Sequence, residues 1–281
     1  MRKLTGDDGE HAVLHDLGGS GPPLLLTHGN GLNAGMWATA LPTLRSHFHC
    51  HGLDFRGHGA ARPVDEDFSV HRKYFVGEAL AAARLLGEGI AAVGHSLGGA
   101  TIIRTELEHP GTFSRMWTFE PVIVPPGGPR PDDSHPLVVG SRKRRTVFES
   151  VDAALDRFTS KPPYSTCELA AVRAYIELGT TPVDDTDPDG PVRLTCSGET
   201  EARVFMSGTP TEFDTLASVM APTVVARGEA ISAGNEIPPM MAEPIAAALG
   251  AGRLLPMDGL THFGPMEDGA AVGRAIVDHL G

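Results

Sequence analysis

The sequence predicts an α/β fold: a doubly wound, mostly parallel sheet with helices on both faces, interrupted once by a mainly helical insertion. Three observations carry this expectation. Short apolar runs such as Leu24-Leu25-Leu26, the kind buried on both faces of a parallel sheet, alternate with longer helical patterns. His28, Asp54, Ser96, Glu120, Gly228 and His262 all fall at or just past the ends of those runs. Polar chemistry therefore collects at the carboxyl edge of the sheet, where open α/β folds hold their ligands. Finally, the alternation breaks from about residue 124 to about residue 210, in a Pro- and Gly-rich stretch, and resumes at Pro222. The insertion lies between the strand ending at Glu120 and the strand at 222–228. It divides the chain into a core of residues 1–121 and 213–281 and a cap of residues 122–212, placed to fold over that edge.

Taken in order, His11 to Leu17 alternates weakly and reads as an edge strand, closed by the turn residues Gly18 to Pro23. Leu24 to Thr27 is a buried strand running into His28-Gly29-Asn30-Gly31. A helix is expected over residues 34–46, carrying Met36, Trp37, Leu41 and Leu44. The next strand, residues 48–53, ends in Asp54-Phe55-Arg56-Gly57-His58-Gly59. A helix over 70–86 leads to the apolar strand Gly89 to Val93, and a helix follows over 100–107. Arg115 to Phe119 is another buried strand. Within the cap, helical patches cover 146–158 and 167–178. Strands at 222–228 and 252–257 bracket a helix over 240–249. After the last strand come the loop Gly259 to Gly264 and a final helix over 266–280.

The totals narrow the class. A chain of 281 residues with 41% hydrophobic content can build one large domain with an insertion. Three scattered cysteines, Cys50, Cys167 and Cys196, make no disulfide framework and favour a reducing compartment. Met1 to Asp8 lacks an apolar run, so no signal peptide is expected, and the expected location is cytoplasmic. A net charge of −12 argues against nucleic acid and against anionic membranes as partners. A small-molecule substrate is the expected partner, with no cofactor.

The stretch that organises the chemistry is Gly94-His95-Ser96-Leu97-Gly98-Gly99. A strand that enters a helix through a serine flanked by glycines is a nucleophile elbow. The turn is so tight that side chains at the two flanking positions would strike the neighbouring strand and helix. The helix begins at the serine, so its free N–H groups and positive dipole end face any charge that develops there.

Together with His28-Gly29-Asn30-Gly31, Asp54-Phe55-Arg56-Gly57-His58-Gly59 and a histidine in a C-terminal loop, this elbow makes the chain resemble the α/β-hydrolase family over nearly its whole length. The resemblance implies a serine nucleophile, Ser96, which needs a base, and a base that needs an orienting acid. His262 lies after the last strand, where the family keeps its catalytic histidine. His95, His28 and His58 are less suited: the first should point away from the nucleophile, the second braces its loop and the third sits in a turn. Many family members carry the acid in a Gly-x-x-Asp context after the cap, but here that stretch is Gly228-Glu229-Ala230-Ile231, and Ile231 cannot orient a histidine. A second branch, resembling haloalkane dehalogenases and some lactonases, places a Glu at the end of the strand before the cap. Glu120 stands there, with Glu229 and Glu236 as alternatives. Those dehalogenases use Asp as nucleophile, so Ser96 turns the implied chemistry to acyl transfer. The oxyanion is expected on the N–H groups of Leu97 and Asn30, and the Asn30 side chain either adds a donor or shapes a turn.

The expected activity is a metal-independent serine hydrolase that cleaves a carboxylic ester, thioester or lactone of a small to medium, partly apolar substrate through an acyl-enzyme. An unperturbed histidine base titrates near about 6.5, so activity is expected to fall as pH drops through that region. Hydrolysis of a C–C bond, perhydrolysis, a lyase or cyclase role and ligand binding without turnover stay open on the same residues. In the cap, Phe158, Tyr164, Tyr175, Phe205 and Phe213 either line an apolar pocket or form the cap's own core. Arg142-Lys143-Arg144-Arg145 reads as a solvated face, with attraction of an anionic substrate as the alternative. On a strand, His47, His49 and His51 would share one face, a spacing that suits zinc. The start of that strand lies at the opposite edge from Ser96, which favours structural histidines.

Overall fold

The computed structural model describes residues 1–6, 9–61, 69–128, 130–187, 190–208, 211, 213–229 and 236–281. The core opens with strands β1 (Arg2–Gly6), β2 (Gly9–Gly18) and β3 (Pro23–Thr27), helix α1 (Leu41–Leu44), strand β4 (His49–Asp54) and helix α2 (Arg72–Leu86). It continues with β5 (Ile90–His95), α3 (Leu97–Glu108) and β6 (Phe113–Phe119). The cap contributes α4 (Pro136–Arg142), β7 (Val147–Phe148), α5 (Val151–Thr159), α6 (Leu169–Leu178), β8 (Thr180–Pro182), β9 (Val192–Leu194) and α7 (Gly198–Met206). The core then resumes with α8 (Phe213–Leu216), β10 (Thr223–Gly228), α9 (Ile237–Ala248), β11 (Gly252–Met257), α10 (Gly264–Glu267) and α11 (Gly269–Leu280).

The main sheet runs in the order β1-β2-β4-β3-β5-β6-β10-β11. The β1–β2 hairpin joins β4 antiparallel, and every pairing from β4 onward is parallel. Register aligns the carboxyl ends: Thr27 pairs with Gly94, His95 with Phe119, and Phe119 with Ala226. Residues 28, 96 and 120 therefore leave neighbouring strands at one edge of the sheet. Leu24, Leu25 and Leu26 are fully buried, as a strand with helices on both faces requires. One core layer holds Phe75, Ala79, Ile102, Ile103 and Ile245. The other holds Met36, Trp37, Val272 and Ile276 and runs without a break into cap residues Phe148, Leu155, Val172 and Ile176.

Two of the expected helices change, each for a local reason, and a small sheet is added. The helix expected over 34–46 is a 3-10 turn, Ala34–Trp37, followed by the short α1. Asn33 accepts a hydrogen bond from Gly35 N and starts the tight turn, and Pro42 has no N–H with which to continue an α-helix. The helix expected over 146–158 starts at Val151, because Ser150 caps it by accepting from Ala153 N. Val147–Phe148 instead enters a three-stranded antiparallel sheet, β7-β9-β8, whose two- and three-residue strands are too short to leave a period in the sequence. Among the described residues, no helix is long and apolar enough to cross a membrane.

The segment after β4 is held by buried polar bonds. Asp54 accepts from Ala34 N at 2.7 Å, from Ala60 N at 2.7 Å and from His15 Nε2 at 2.8 Å. Arg56 is ion-paired with Glu78, and both side chains are 1% exposed. Removing one partner leaves the other charge buried. Arg56→Ala is expected to cost about 3–5 kcal/mol of stability, read as a lowered urea midpoint. An unchanged midpoint would show that this pair contributes nothing net to the fold.

Candidate active site

β5 passes into α3 through Ser96, whose φ is 50° and ψ −110°. A non-glycine residue held there carries roughly 1–3 kcal/mol of strain, so its surroundings must impose it. They do so through contact. A Cβ on Gly94 would stand 2.5 Å from Gly99 N, and one on Gly98 would stand 2.6 Å from Thr27 Oγ1 and 2.8 Å from His28 O. Ser96 N donates to Phe119 O at 2.9 Å, tying the elbow to the neighbouring strand. Ser96 is half-buried, and its side chain forms no cap hydrogen bond with α3.

Glu120 is the second non-glycine residue with positive φ, at 44°. The turn directs its fully buried carboxylate along the strand ends. Oε2 stands 2.7 Å from His262 Nδ1, and Oε1 accepts from Gly228 N at 2.9 Å. The His262 loop is fixed in turn. Thr261 N and Oγ1 both donate to Glu267 at 2.7 Å, and His262 O lies 2.8 Å from His95 Nε2. Glu229 and Glu236, the other two acids named from sequence, are exposed, and Ile231 lies outside the described residues.

The remaining histidines are occupied as braces. His95 donates through Nε2 to the His262 carbonyl, and burial holds it neutral, well below the ordinary range. His28 Nε2 accepts from Phe55 N at 3.1 Å, and His58 Nε2 accepts from Gly31 N at 3.1 Å. His262 differs in keeping its second ring nitrogen clear of the Glu120 bond. Loss of water pushes His262 down, to about 4, and Glu120 up, to about 8, because burial disfavours a lone charge of either sign. At 2.7 Å their mutual attraction opposes both shifts, so the two groups take up a proton as one unit.

Asn30 and Leu97 lie where the loop after β3 meets the start of α3. Their N–H groups have no hydrogen-bond acceptor among the described residues. The Asn30 side chain is engaged elsewhere: Nδ2 donates to Glu201 O on α7 at 3.0 Å. That bond ties the loop after β3 to the cap, a role the sequence did not suggest for this amide.

The cap is bonded to both loops around the elbow. Tyr175 OH donates to Gly31 O at 3.0 Å, and Asn33 Nδ2 to Tyr175 O at 2.8 Å. On the other side Glu168 N donates to Met266 O at 2.7 Å, and Thr166 Oγ1 to Glu267 at 2.8 Å. Tyr164 stacks on Tyr175 with centroids 5.7 Å apart, and meets Phe263, beside His262, at 5.4 Å. The basic run is largely paired: Arg142 with Asp133 and Glu199, Arg144 with Glu201, and Arg145 with Glu149. The Tyr175 hydroxyl bond to Gly31, Glu267 and the Gly228 N–H are the parts that sequence reasoning did not bring to the site, although Tyr175 itself is among the cap aromatics it named. Of these contacts, only that of Gly228 left a signal, as a strand-end residue.

The model of the alpha/beta hydrolase family matches residues 24–275, nearly the full span of these elements. The chain belongs to the alpha/beta hydrolase family. Among curated alpha/beta hydrolase relatives, it is 35% identical over 128 residues to a fluoroacetate dehalogenase from Burkholderia sp, covering 44% of this chain and 41% of that one. It is also 35% identical over 98 residues to a pimeloyl-[acyl-carrier protein] methyl ester esterase from Nitrosomonas europaea, covering 35% and 36%. The chain thus spans less than half the length of these relatives. Among solved structures, a thioesterase domain from the curacin biosynthetic pathway superposes with a TM-score of 0.78 at 17% identity, covering 99% of both chains, a likeness of fold.

Proposed function

We propose that this alpha/beta hydrolase is a serine hydrolase that cleaves a carboxylic ester, thioester or lactone of a small to medium, partly apolar molecule. The observation that carries the reading is the buried Glu120–His262 pair, 2.7 Å apart, at the sheet edge where the strained Ser96 leaves β5. Ser96 Oγ attacks the substrate carbonyl and passes its proton to His262 Nε2. Glu120 holds the Nδ1 proton, so that Nε2 is free to accept, and stabilises the imidazolium that forms. The tetrahedral oxyanion rests on the Leu97 and Asn30 N–H groups. His262 gives the proton to the leaving oxygen or sulfur, which departs and leaves an acyl ester on Ser96. Water attacks that ester, loses a proton to His262 and releases the acid, with the proton returned to Ser96.

A methyl ester esterase among the relatives supports this bond class. A hydroxyl nucleophile at Ser96, where the haloalkane dehalogenases that the chain resembles carry Asp, favours acyl transfer over halide displacement. The Tyr164, Tyr175 and Phe263 cluster supplies an apolar wall for the acyl or alcohol part. The expected partner is a small molecule in the cytoplasm.

Intact-mass analysis after treatment with a fluorophosphonate, which modifies only an activated serine, tests the mechanism. One adduct per chain, mapped to Ser96, is expected. A native chain that turns over esters while remaining unlabelled overturns the acyl-enzyme route. A panel of esters, thioesters, lactones and diketones then assigns the bond.

A further inference from the structure

A second cluster of reactive side chains sits at the opposite edge of the sheet. His49 and His51 lie two residues apart on β4 and so share one face. The antiparallel neighbour β2 places Asp16 directly across from His51, and a register shift follows between Asp16 and Gly18. Asp16 Oδ1 stands 2.8 Å from His49 Nε2 and also accepts from Gly18 N at 2.9 Å. The imidazoles of His49 and His51 have centroids 4.4 Å apart. One ligand atom from each of the three residues lies within 4.8 Å of the others, and among the described residues no other trio of such side chains is this close. Cys50, between the two histidines, is buried and donates toward Phe48 O, outside the set. His47 precedes the strand, so it is not the third member that the sequence spacing offered.

We propose that Asp16, His49 and His51 bind a borderline divalent transition-metal ion of the zinc class, at a site separate from Ser96. Two imidazoles and a carboxylate are the ligand set such ions take, with the remaining position left to water. Ligand bonds of about 2.0–2.2 Å require the three donor atoms to shift only modestly. The paired strands β2 and β4 supply the frame for that, with the register shift lying just past Asp16. The Asp16 side chain is 60% exposed and that of His49 36%, so an ion reaches the donors from water without opening the fold. The Gly18 N–H holds the Asp16 carboxylate in place, as outer partners of metal ligands do. On binding, the metal takes the place of the His49 proton that faces Asp16, and that proton moves to the other ring nitrogen. The ion ties the β1–β2 hairpin to the parallel sheet, so it acts on stability and leaves the Ser96 edge untouched.

The test uses the full chain without a histidine tag, stripped with chelator and titrated with ZnCl2 by calorimetry. The wild type is expected to bind a single equivalent with micromolar affinity and to melt at a higher temperature with zinc than without. The double variant His49→Gln/His51→Gln is expected to lose both the saturable binding and the zinc-dependent rise, while its circular dichroism stays native. Asp16→Asn should weaken binding, and His47→Gln should bind as the wild type does. Absence of saturable binding in the wild type, or equal binding by the double variant, overturns the proposal.

Discussion

Ser96→Ala is expected to lower turnover by about 10⁴–10⁶-fold, the range seen when the nucleophile of a cooperating triad is removed. The fold should survive, because Ser96 gives its backbone N–H to Phe119 O and its side chain caps nothing in α3. The residual rate should still exceed the uncatalysed one, since the Leu97 and Asn30 donors and the binding wall remain. The measurement is kcat on the best ester of the panel, beside circular dichroism and fluorophosphonate labelling. Loss of the label with kcat within about tenfold of wild type would show that Ser96 is reactive but idle in turnover. The reading as a serine hydrolase would then fall.

Glu120→Gln carries the second largest effect. A glutamine amide facing His262 Nδ1 presents an N–H donor, which forces the ring proton to Nε2, the nitrogen that must accept from Ser96. A wrong tautomer of this kind costs about 10⁴-fold in kcat. The pH profile separates this from a loss of packing. Neutral His262 is the active form, so activity is present above its pKa and lost as pH falls through it. In the wild type, attraction to the carboxylate at 2.7 Å works against the burial that pushes the imidazole toward about 4. Removing the carboxylate leaves burial unopposed. The acid limb of kcat/KM in Glu120→Gln is therefore expected at lower pH than in the wild type. An unmoved limb would mean that Glu120 does not act through His262.

Much of this architecture was legible because strand ends announce themselves. Leu24 to Leu26, Ile90 to Val93 and Val224 to Ala226 are apolar and end at Thr27, Gly94 and Arg227, so both their place and the residues just past them follow from local pattern. The proximity of Glu120 to His262 could be anticipated for a related reason: Glu120 lies one residue past β6 and His262 in the loop after β11, and parallel register aligns the carboxyl ends of both strands. What stayed hidden rests on contacts distant in sequence. No local pattern says that Tyr175 reaches Gly31, 144 residues away, or that Asp16 lies across from His51. The helix expected over 34–46 failed on a single ring: Pro42 outweighed a good apolar period. The cap strands failed on length, since two or three residues carry no period.

Glu120 acts as a clasp between the two core strands that flank the insertion. Glu120 N donates to Ala226 O at 2.9 Å, and the Glu120 carboxylate accepts from Gly228 N, 108 residues further along. The strand end from which the chain departs for the cap is therefore bonded to the carboxyl end of β10, the strand that follows the cap, so these two core strands stay joined at the catalytic edge whatever the insertion contains. Doubling the length of a closed flexible loop adds only about 0.6 kcal/mol of entropy cost. A lineage, or an engineer, could exchange the cap between β6 and α8 for a longer or shorter module and still present the same carboxylate to the same imidazole. Substrate range and bond-breaking machinery would then vary independently, with the seam between them at the residue that serves both.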